Sequence, residues 1–242
     1  VKGEPGTGKT LLAHNIALGL NKKLIVWNVK STTKARDGLY VYDTVQRLND
    51  ARFGDRDISD ISQYIKMGKL GEAFAASEQV VLLIDEVDKA DPEFEAFLLE
   101  ILSDFQISIP ELGTKQAIHR PFVVLTSNNF RDMSDALKRR CIHLYIDYPE
   151  RSLELRIVEL KIPAIGEHLA EQLVESIRQI RGLDLKKKPC ISETLDWAQS
   201  LIALQVEDLS PEVVADTLNV ILKYRSDVET VKDNLSAIRG HA

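Results

Sequence analysis

Gly3-Glu4-Pro5-Gly6-Thr7-Gly8-Lys9-Thr10 places glycines, a lysine and a hydroxyl in the spacing G-x-x-x-x-G-K-[ST]. Each residue type has a task in that pattern. Glycines let successive backbone N–H groups face a phosphate, and the helix that follows adds positive potential at its N-terminus. Lys9 reaches the terminal phosphates and the Thr10 hydroxyl ligates Mg²⁺. Farther along, Val80-Val81-Leu82-Leu83-Ile84-Asp85-Glu86 is an apolar run ending in adjacent carboxylates. Asp85 is suited to hold Mg²⁺ through a water, and Glu86 to take the proton of a water attacking a γ-phosphate. The second carboxylate favours hydrolysis over transfer to another acceptor. A third run, Phe122-Val123-Val124-Leu125-Thr126-Ser127-Asn128-Asn129, ends in amides, one of which would orient the attacking water; a turn-forming role is the alternative for either Asn.

These groups need a scaffold that brings strand ends together. Leu24–Val29, Val80–Ile84, Phe122–Thr126 and Ile142–Ile146 are rich in Val, Ile and Leu without polar alternation, as strands covered on both faces of a parallel sheet are. Between them lie helical patterns: Leu11, Leu12, Ile16 and Leu20 after the glycines, and Phe94, Phe97, Leu98, Ile101 and Leu102 after Asp91-Pro92, an N-cap and first-turn pair. This alternation predicts an α/β fold with right-handed crossovers. Only Val1 and Lys2 precede Gly3, so the first strand is expected to be cut short here and contacts to the base to lie upstream of Val1. After Tyr148-Pro149 the strand signal stops. Residues 1–149 are expected to form the nucleotide-binding domain and 150–242 a helical domain of four or five helices, with Ser210-Pro211-Glu212 opening one of them. Lys186-Lys187-Lys188 is read as a solvated loop.

Composition sets the remaining bounds. Of 242 residues, 44% are hydrophobic and 28% charged, and 31 Lys and Arg against 37 Asp and Glu leave a formal charge of −6. That balance disfavours a sequence-independent nucleic-acid binder. No apolar run approaches the ~20 residues of a membrane span. The N-terminal residues lack a secretory signal, and Cys141 and Cys190 are too few for a disulfide framework, so a reducing cytoplasm is expected. His14, His119, His143, His168 and His241 lack metal-ligand spacing and read as structural or surface residues. Asp88 and Asp91 read as cap or surface residues. Cys141 reads as a small buried apolar residue, although its basic neighbours would favour a lowered thiol pKa.

Taken in order, the loop at Gly3–Thr10, the acidic strand ending at Asp85-Glu86, the strand ending at Asn128 and the segment Asp135-Ala136-Leu137-Lys138-Arg139-Arg140-Cys141 resemble the AAA+ ATPases over nearly the whole chain. The resemblance implies a P-loop NTPase sandwich followed by a small all-helical lid, with ATP and Mg²⁺ as ligands. It implies nucleotide contacts from Gly3, Glu4, Pro5, Gly6, Thr7, Gly8, Lys9, Thr10 and Leu11, metal contacts from Thr10 and Asp85, and catalytic roles for Glu86 and Asn128. It also implies that Arg140, with Arg139 as the alternative, enters a neighbouring subunit's site in a homo-oligomeric ring, a hexamer. Glu86-Val87-Asp88-Lys89-Ala90-Asp91-Pro92, a hairpin pattern through Gln106–Pro110 and Gly113, and an insertion between Lys30 and Gly71 are similar to the MoxR branch. Lys30–Ala35, Gly38-Leu39-Tyr40 and Leu125–Asn129 through Asp147-Tyr148-Pro149 resemble its CoxD-type members. These imply a chaperone with a von Willebrand A-domain partner and a metalloenzyme client, a molybdenum hydroxylase such as carbon monoxide dehydrogenase. In one place the chain departs from the pattern: Glu212 stands after Ser210-Pro211 where relatives carry an arginine that meets the γ-phosphate, and a carboxylate repels phosphate. Lys30, Lys34 and Arg36 suit either a substrate channel or a solvated loop. A nucleotide-gated scaffold with slow hydrolysis, a DNA-directed motor or clamp loader, and a small-molecule kinase are the competing readings; the kinase leaves Glu86 and Arg140 without roles.

Overall fold

The computed structural model describes residues 1–54, 59–109, 113–128 and 131–235; Pro110, Asn129 and His241, named above, lie outside them. The chain divides into two compact units, Val1–Gly3 with Gly8–Ile146, and Glu4–Thr7 with Asp147–Ala242.

In the first unit the elements run β1 (Lys2–Gly3), α1 (Lys9–Gly19), β2 (Leu24–Asn28), a 3-10 turn at Ala35–Gly38, β3 (Tyr40–Tyr42), α2 (Thr44–Phe53), a 3-10 turn at Ile61–Tyr64, β4 (Ile65–Met67), α3 (Lys69–Phe74) and β5 (Val81–Asp85). They continue with a 3-10 turn at Val87–Lys89, α4 (Pro92–Asp104), β6 (Gln106–Ile109), β7 (Gly113–Gln116), β8 (Phe122–Leu125), α5 (Asp135–Lys138) and β9 (Tyr145–Ile146). β5 is the centre of a parallel sheet, pairing Leu24–Asn28 with Val81–Asp85 on one side and Val81–Ile84 with Phe122–Leu125 on the other. β1 pairs in parallel with β9, and a bridge between Lys2 and Ser127 joins the two sets, so the order across is β2-β5-β8-β1-β9. The uniform apolar run of β5 is explained by its place. Leu82 and Ile84 face a cluster with Trp27, Phe94 and Leu98, Val81 and Leu83 face Ala13, Ala17 and Val124, and all four β5 side chains are fully buried.

α4 opens as its sequence indicates: the Asp91 carboxylate accepts the Phe94 N–H at 2.8 Å and Pro92 occupies the first turn. The segment from Lys30 to Gly71 forms the antiparallel β3–β4 pair with α2 between them, and β6–β7 is the hairpin expected ahead of β8.

Three expectations need correction. Ile142–Ile146 is not a strand throughout, since β9 begins at Tyr145, opposite Lys2, and Ile142 is 98% exposed. Extended pairing starts only where a partner strand exists. The helix after the glycines does not present its leucines inward; α1 buries Ala13 and Ala17, whose small side chains let it lie close to the sheet, while Leu11 and Leu20 are exposed. Cys141 is only half-buried, and burial pushes its thiol pKa up instead of its neighbours lowering it.

The second unit comprises α6 (Arg151–Lys161), α7 (Glu167–Gly182), α8 (Ile191–Ala203), α9 (Pro211–Ile221) and α10 (Arg225–Asp233), packed around Leu173, Ile177, Trp197, Leu201 and Leu218. Trp197 Nε1 donates to Thr217 Oγ1 at 2.8 Å, which satisfies its polar atom inside that core. Arg181 makes a bidentate pair with buried Glu154 at 2.8 and 2.9 Å and donates to Pro189 O, so its guanidinium is committed within the unit. The lysine run is exposed between α7 and α8 as expected, and its backbone is anchored: the Lys186 and Lys187 N–H groups donate to Asp227, and Lys187 Nζ pairs with Glu193.

Candidate functional site

The glycine loop takes a conformation that β-carbons resist. Gly6 and Gly8 have φ of +71° and +89°, and Gly8 is the N-cap of α1 with no side-chain cap bond to its free N–H groups. The first turn of α1 also carries no acidic residue, so nothing there offsets the positive helix terminus. Thr7 Oγ1 donates to Glu4 O at 2.8 Å, closing the loop locally. Lys9 is 5% exposed and its ammonium donates to Gly3 O at 3.1 Å, which draws the side chain back along the loop.

Thr10 and the acidic strand end meet directly. Thr10 Oγ1 lies 3.1 and 3.0 Å from Asp85 Oδ1 and Oδ2. A hydroxyl and a carboxylate side by side form an all-oxygen donor set, which suits a hard cation that keeps most of its waters and is shared with phosphate, as Mg²⁺ does. The described residues contain no cluster of three or more His, Cys, Asp or Glu fit to cage a metal alone. Glu86 follows in a left-handed conformation, φ 58° and ψ 45°, unusual for a residue with a β-carbon. Its Oε1 accepts the Asn128 Nδ2–H at 3.0 Å and its Oε2 pairs with Lys89.

Three residues at this end were not read from sequence as functional. Asp88, expected at a cap or on the surface, is 1% exposed, and its Oδ2 accepts the Asn128 backbone N–H at 2.9 Å. Burial beneath the loop after β8 overrides its turn propensity. Lys89 faces Glu86. Thr126 bonds with both Asp85 and Glu86. No local signal marks Asp88 or Thr126, because the partner of each lies on a distant segment, whereas Lys89 meets Glu86 three residues earlier in the same turn.

Lys9, Thr10, Asp85, Glu86 and Asn128 are thus gathered at the carboxyl ends of β5 and β8 and the start of α1. Leu11 is exposed beside them. Arg139 and Arg140 are not part of that cluster: both are exposed, and Arg140 Nη1 donates back to Ala136 O at 3.3 Å. They follow α5, whose N-cap Ser134 donates its N–H to buried Glu95 at 2.7 Å, and Glu95 also pairs with Arg131 at 2.5 Å. Glu212 occupies the first turn of α9; its own N–H and the Ser210 hydroxyl hold its carboxyl below the usual range, so it serves the helix start. His14, His119, His143 and His168 are all exposed.

Comparison with known proteins bears on the family and the fold. The family model for the ATPase family associated with various cellular activities (AAA) matches residues 1–148. Gas vesicle ATPase GvpN of Haloferax mediterranei is 22% identical over 97% of this chain and 71% of its own length. Fidgetin-like protein 1 of Drosophila melanogaster is 26% identical over 98% of this chain, which spans only 40% of that protein. Among solved structures, a point mutant of Thermotoga maritima RuvB superposes with a TM-score of 0.55 at 19% identity, over 91% of this chain and 62% of that one. The Thermotoga maritima RuvB Holliday junction branch migration motor gives 0.51 at 19% identity, over 90% and 60%. At such identities the structures establish the fold alone: a P-loop AAA domain with a parallel sheet and helices. By the family match over well more than half its length, the chain belongs to the AAA ATPases and is itself an ATPase.

Proposed function

We propose that this ATPase cuts ATP at the cluster formed by Lys9, Thr10, Asp85, Glu86 and Asn128, and uses the cycle in a ring to remodel a protein partner in the manner of MoxR-type chaperones. The observation that carries the site is the Glu86 carboxylate 3.0 Å from the Asn128 amide, beside the Thr10–Asp85 pair. The loop N–H groups and the α1 terminus bind the phosphates, and Lys9 turns from Gly3 O to the terminal phosphate. Thr10 and Asp85 would hold Mg²⁺, which would supply charge neutralisation on the phosphates. Asn128 orients a water against Glu86, and Glu86 takes its proton as the water oxygen bonds to the γ-phosphorus and the bond to the bridging oxygen breaks, giving ADP and phosphate.

Assembly in a ring is supported by the surface at Arg140. Its side chain stands at the rim of an apolar groove of about 480 Å³ lined in part by Leu12, Leu99, Leu137 and Leu144, and Ile142 beside it is almost fully exposed. Arg140 acts there in the neighbour's site. The client class, a molybdenum hydroxylase metal site reached with a von Willebrand A-domain partner, rests on sequence resemblance; the similarity to a gas vesicle ATPase marks a second client class of the same kind of chaperone. Pull-down with Glu86→Gln, which binds ATP but barely turns over, tests this. Capture of a metalloenzyme or of a gas vesicle protein separates the two clients, and capture of neither by an ATP-bound ring overturns the chaperone reading.

One observation favours a slower, scaffold-like use of the nucleotide: the Lys89 ammonium pairs with Glu86, so one oxygen of the carboxylate that faces Asn128 is already engaged. Steady-state phosphate release with and without partner distinguishes them, since a scaffold shows no stimulation.

A further inference from the structure

We infer that Thr126 is a positioning residue that straps the exit of β5, aiming the Asp85 carboxylate at Thr10 and holding Glu86 in its left-handed conformation. This rests on the site assignment above and deepens it. Thr126 is 2% exposed and lies one residue past β8, across from the turn between Asp85 and Val87. Its hydroxyl donates to Asp85 Oδ1 and accepts the Glu86 N–H at 2.9 Å. A hydroxyl has one proton and two lone pairs, so the carboxylate takes the proton and the amide must meet a lone pair. The two bonds therefore fix each other's direction. The main chain of the same residue completes the strap: Thr126 N donates to Ile84 O at 3.1 Å, and Val87 N donates to Thr126 O at 3.0 Å. Four consecutive residues of the β5 exit, Ile84 to Val87, are thereby bound by one residue just past the neighbouring strand β8.

This arrangement serves both halves of the chemistry. With Thr126 on Oδ1, the Asp85 carboxylate plane is set by something other than Thr10, which leaves the Thr10 hydroxyl able to turn a lone pair to the metal without Asp85 rotating away. Glu86 in the left-handed region is a conformation that an L-residue leaves readily unless its surroundings hold it. Its N–H is held by the Thr126 hydroxyl, and from that backbone its side chain reaches Asn128.

Thr126→Val keeps the β-branched shape and removes only the hydroxyl. Nucleotide affinity without magnesium, read with a fluorescent ATP analogue, is expected to match the native protein. The gain in affinity on adding Mg²⁺ should shrink, and kcat should fall about 10–100-fold with KM little changed, the range for losing a residue that orients a metal ligand. Thr126→Ser restores the hydroxyl and is expected to recover most of both. If Thr126→Val fails to fold, Thr126→Cys, a weaker donor of similar size, is read in the same way. A folded Thr126→Val or Thr126→Cys with kcat and Mg²⁺ gain within twofold of native overturns the strap, as does a Thr126→Ser that rescues neither. Lys9→Ala and Glu86→Gln run alongside test the site itself: loss of turnover in both with an indifferent Thr126→Val refutes the strap alone, whereas full activity in Lys9→Ala and Glu86→Gln refutes the assignment beneath it.

Discussion

Asp88 and Asn128 are joined across 40 positions of sequence: the Asp88 Oδ2 accepts the Asn128 main-chain N–H at 2.9 Å, while the Asn128 side chain donates to Glu86 at 3.0 Å. One residue thus has its backbone held by the turn after β5 and its amide placed on the carboxylate that begins that turn. Asp88→Ala removes the acceptor from a buried N–H and is expected to cost about 1–3 kcal/mol of stability. kcat should fall with it. Asp88→Asn retains an acceptor oxygen and should lose less of both, as measured by denaturant unfolding and phosphate release.

Arg140 is exposed and outside the cluster of its own protomer, which leads to a complementation result. Lys9→Ala and Arg140→Ala rings are each expected to be nearly inactive. A mixture of the two contains seams with an intact Lys9 site facing an intact Arg140, and should regain a measurable fraction of turnover. Substituting Arg139 in place of Arg140 identifies which of the two acts. No recovery in mixed rings of verified composition sinks the role across protomers.

The buried Glu95 makes stability depend on pH. Burial pushes its pKa up, but the Ser134 N–H and hydroxyl and the Arg131 guanidinium more than offset this and hold it below the ordinary glutamate range. A carboxylate with a depressed folded-state pKa contributes stability that is complete above its unfolded value and lost as pH falls through the folded one. Glu95→Gln should therefore melt below the native protein at pH 7, and the gap should narrow steadily once the pH drops under about 4.5. A constant gap across that range refutes the charged contribution.

Leu82 and Leu83 sit side by side on β5, fully buried against opposite clusters. In a sheet with one wet face, truncating one of them would be mild. Here Leu82→Ala and Leu83→Ala should each cost about 2–5 kcal/mol by urea unfolding, with the spread set by how far each side collapses.

Much of this molecule is written locally. The glycine loop opening a helix, the Asp91-Pro92 and Ser210-Pro211 helix starts, and the unbroken apolar run closing on Asp85-Glu86 all depend on residues within a few positions of one another, and each states its own conformation. Such signals suffice for the α/β class and for proposing Lys9, Thr10, Asp85 and Glu86, while only the resemblance of the ordered motifs singles out Asn128 from Asn129. Folding supplied the rest through contacts between distant segments. Thr126, Asp88 and Lys89 are residue types at home in any turn, and only the parallel register of β5 with β8 puts the first two against their partners. The same cause runs the other way in Ile142–Ile146, where a strand-like composition stays unpaired until Tyr145 finds Lys2. A hydrogen bond between elements needs two groups at one point in space, and no single stretch of chain carries that coordinate.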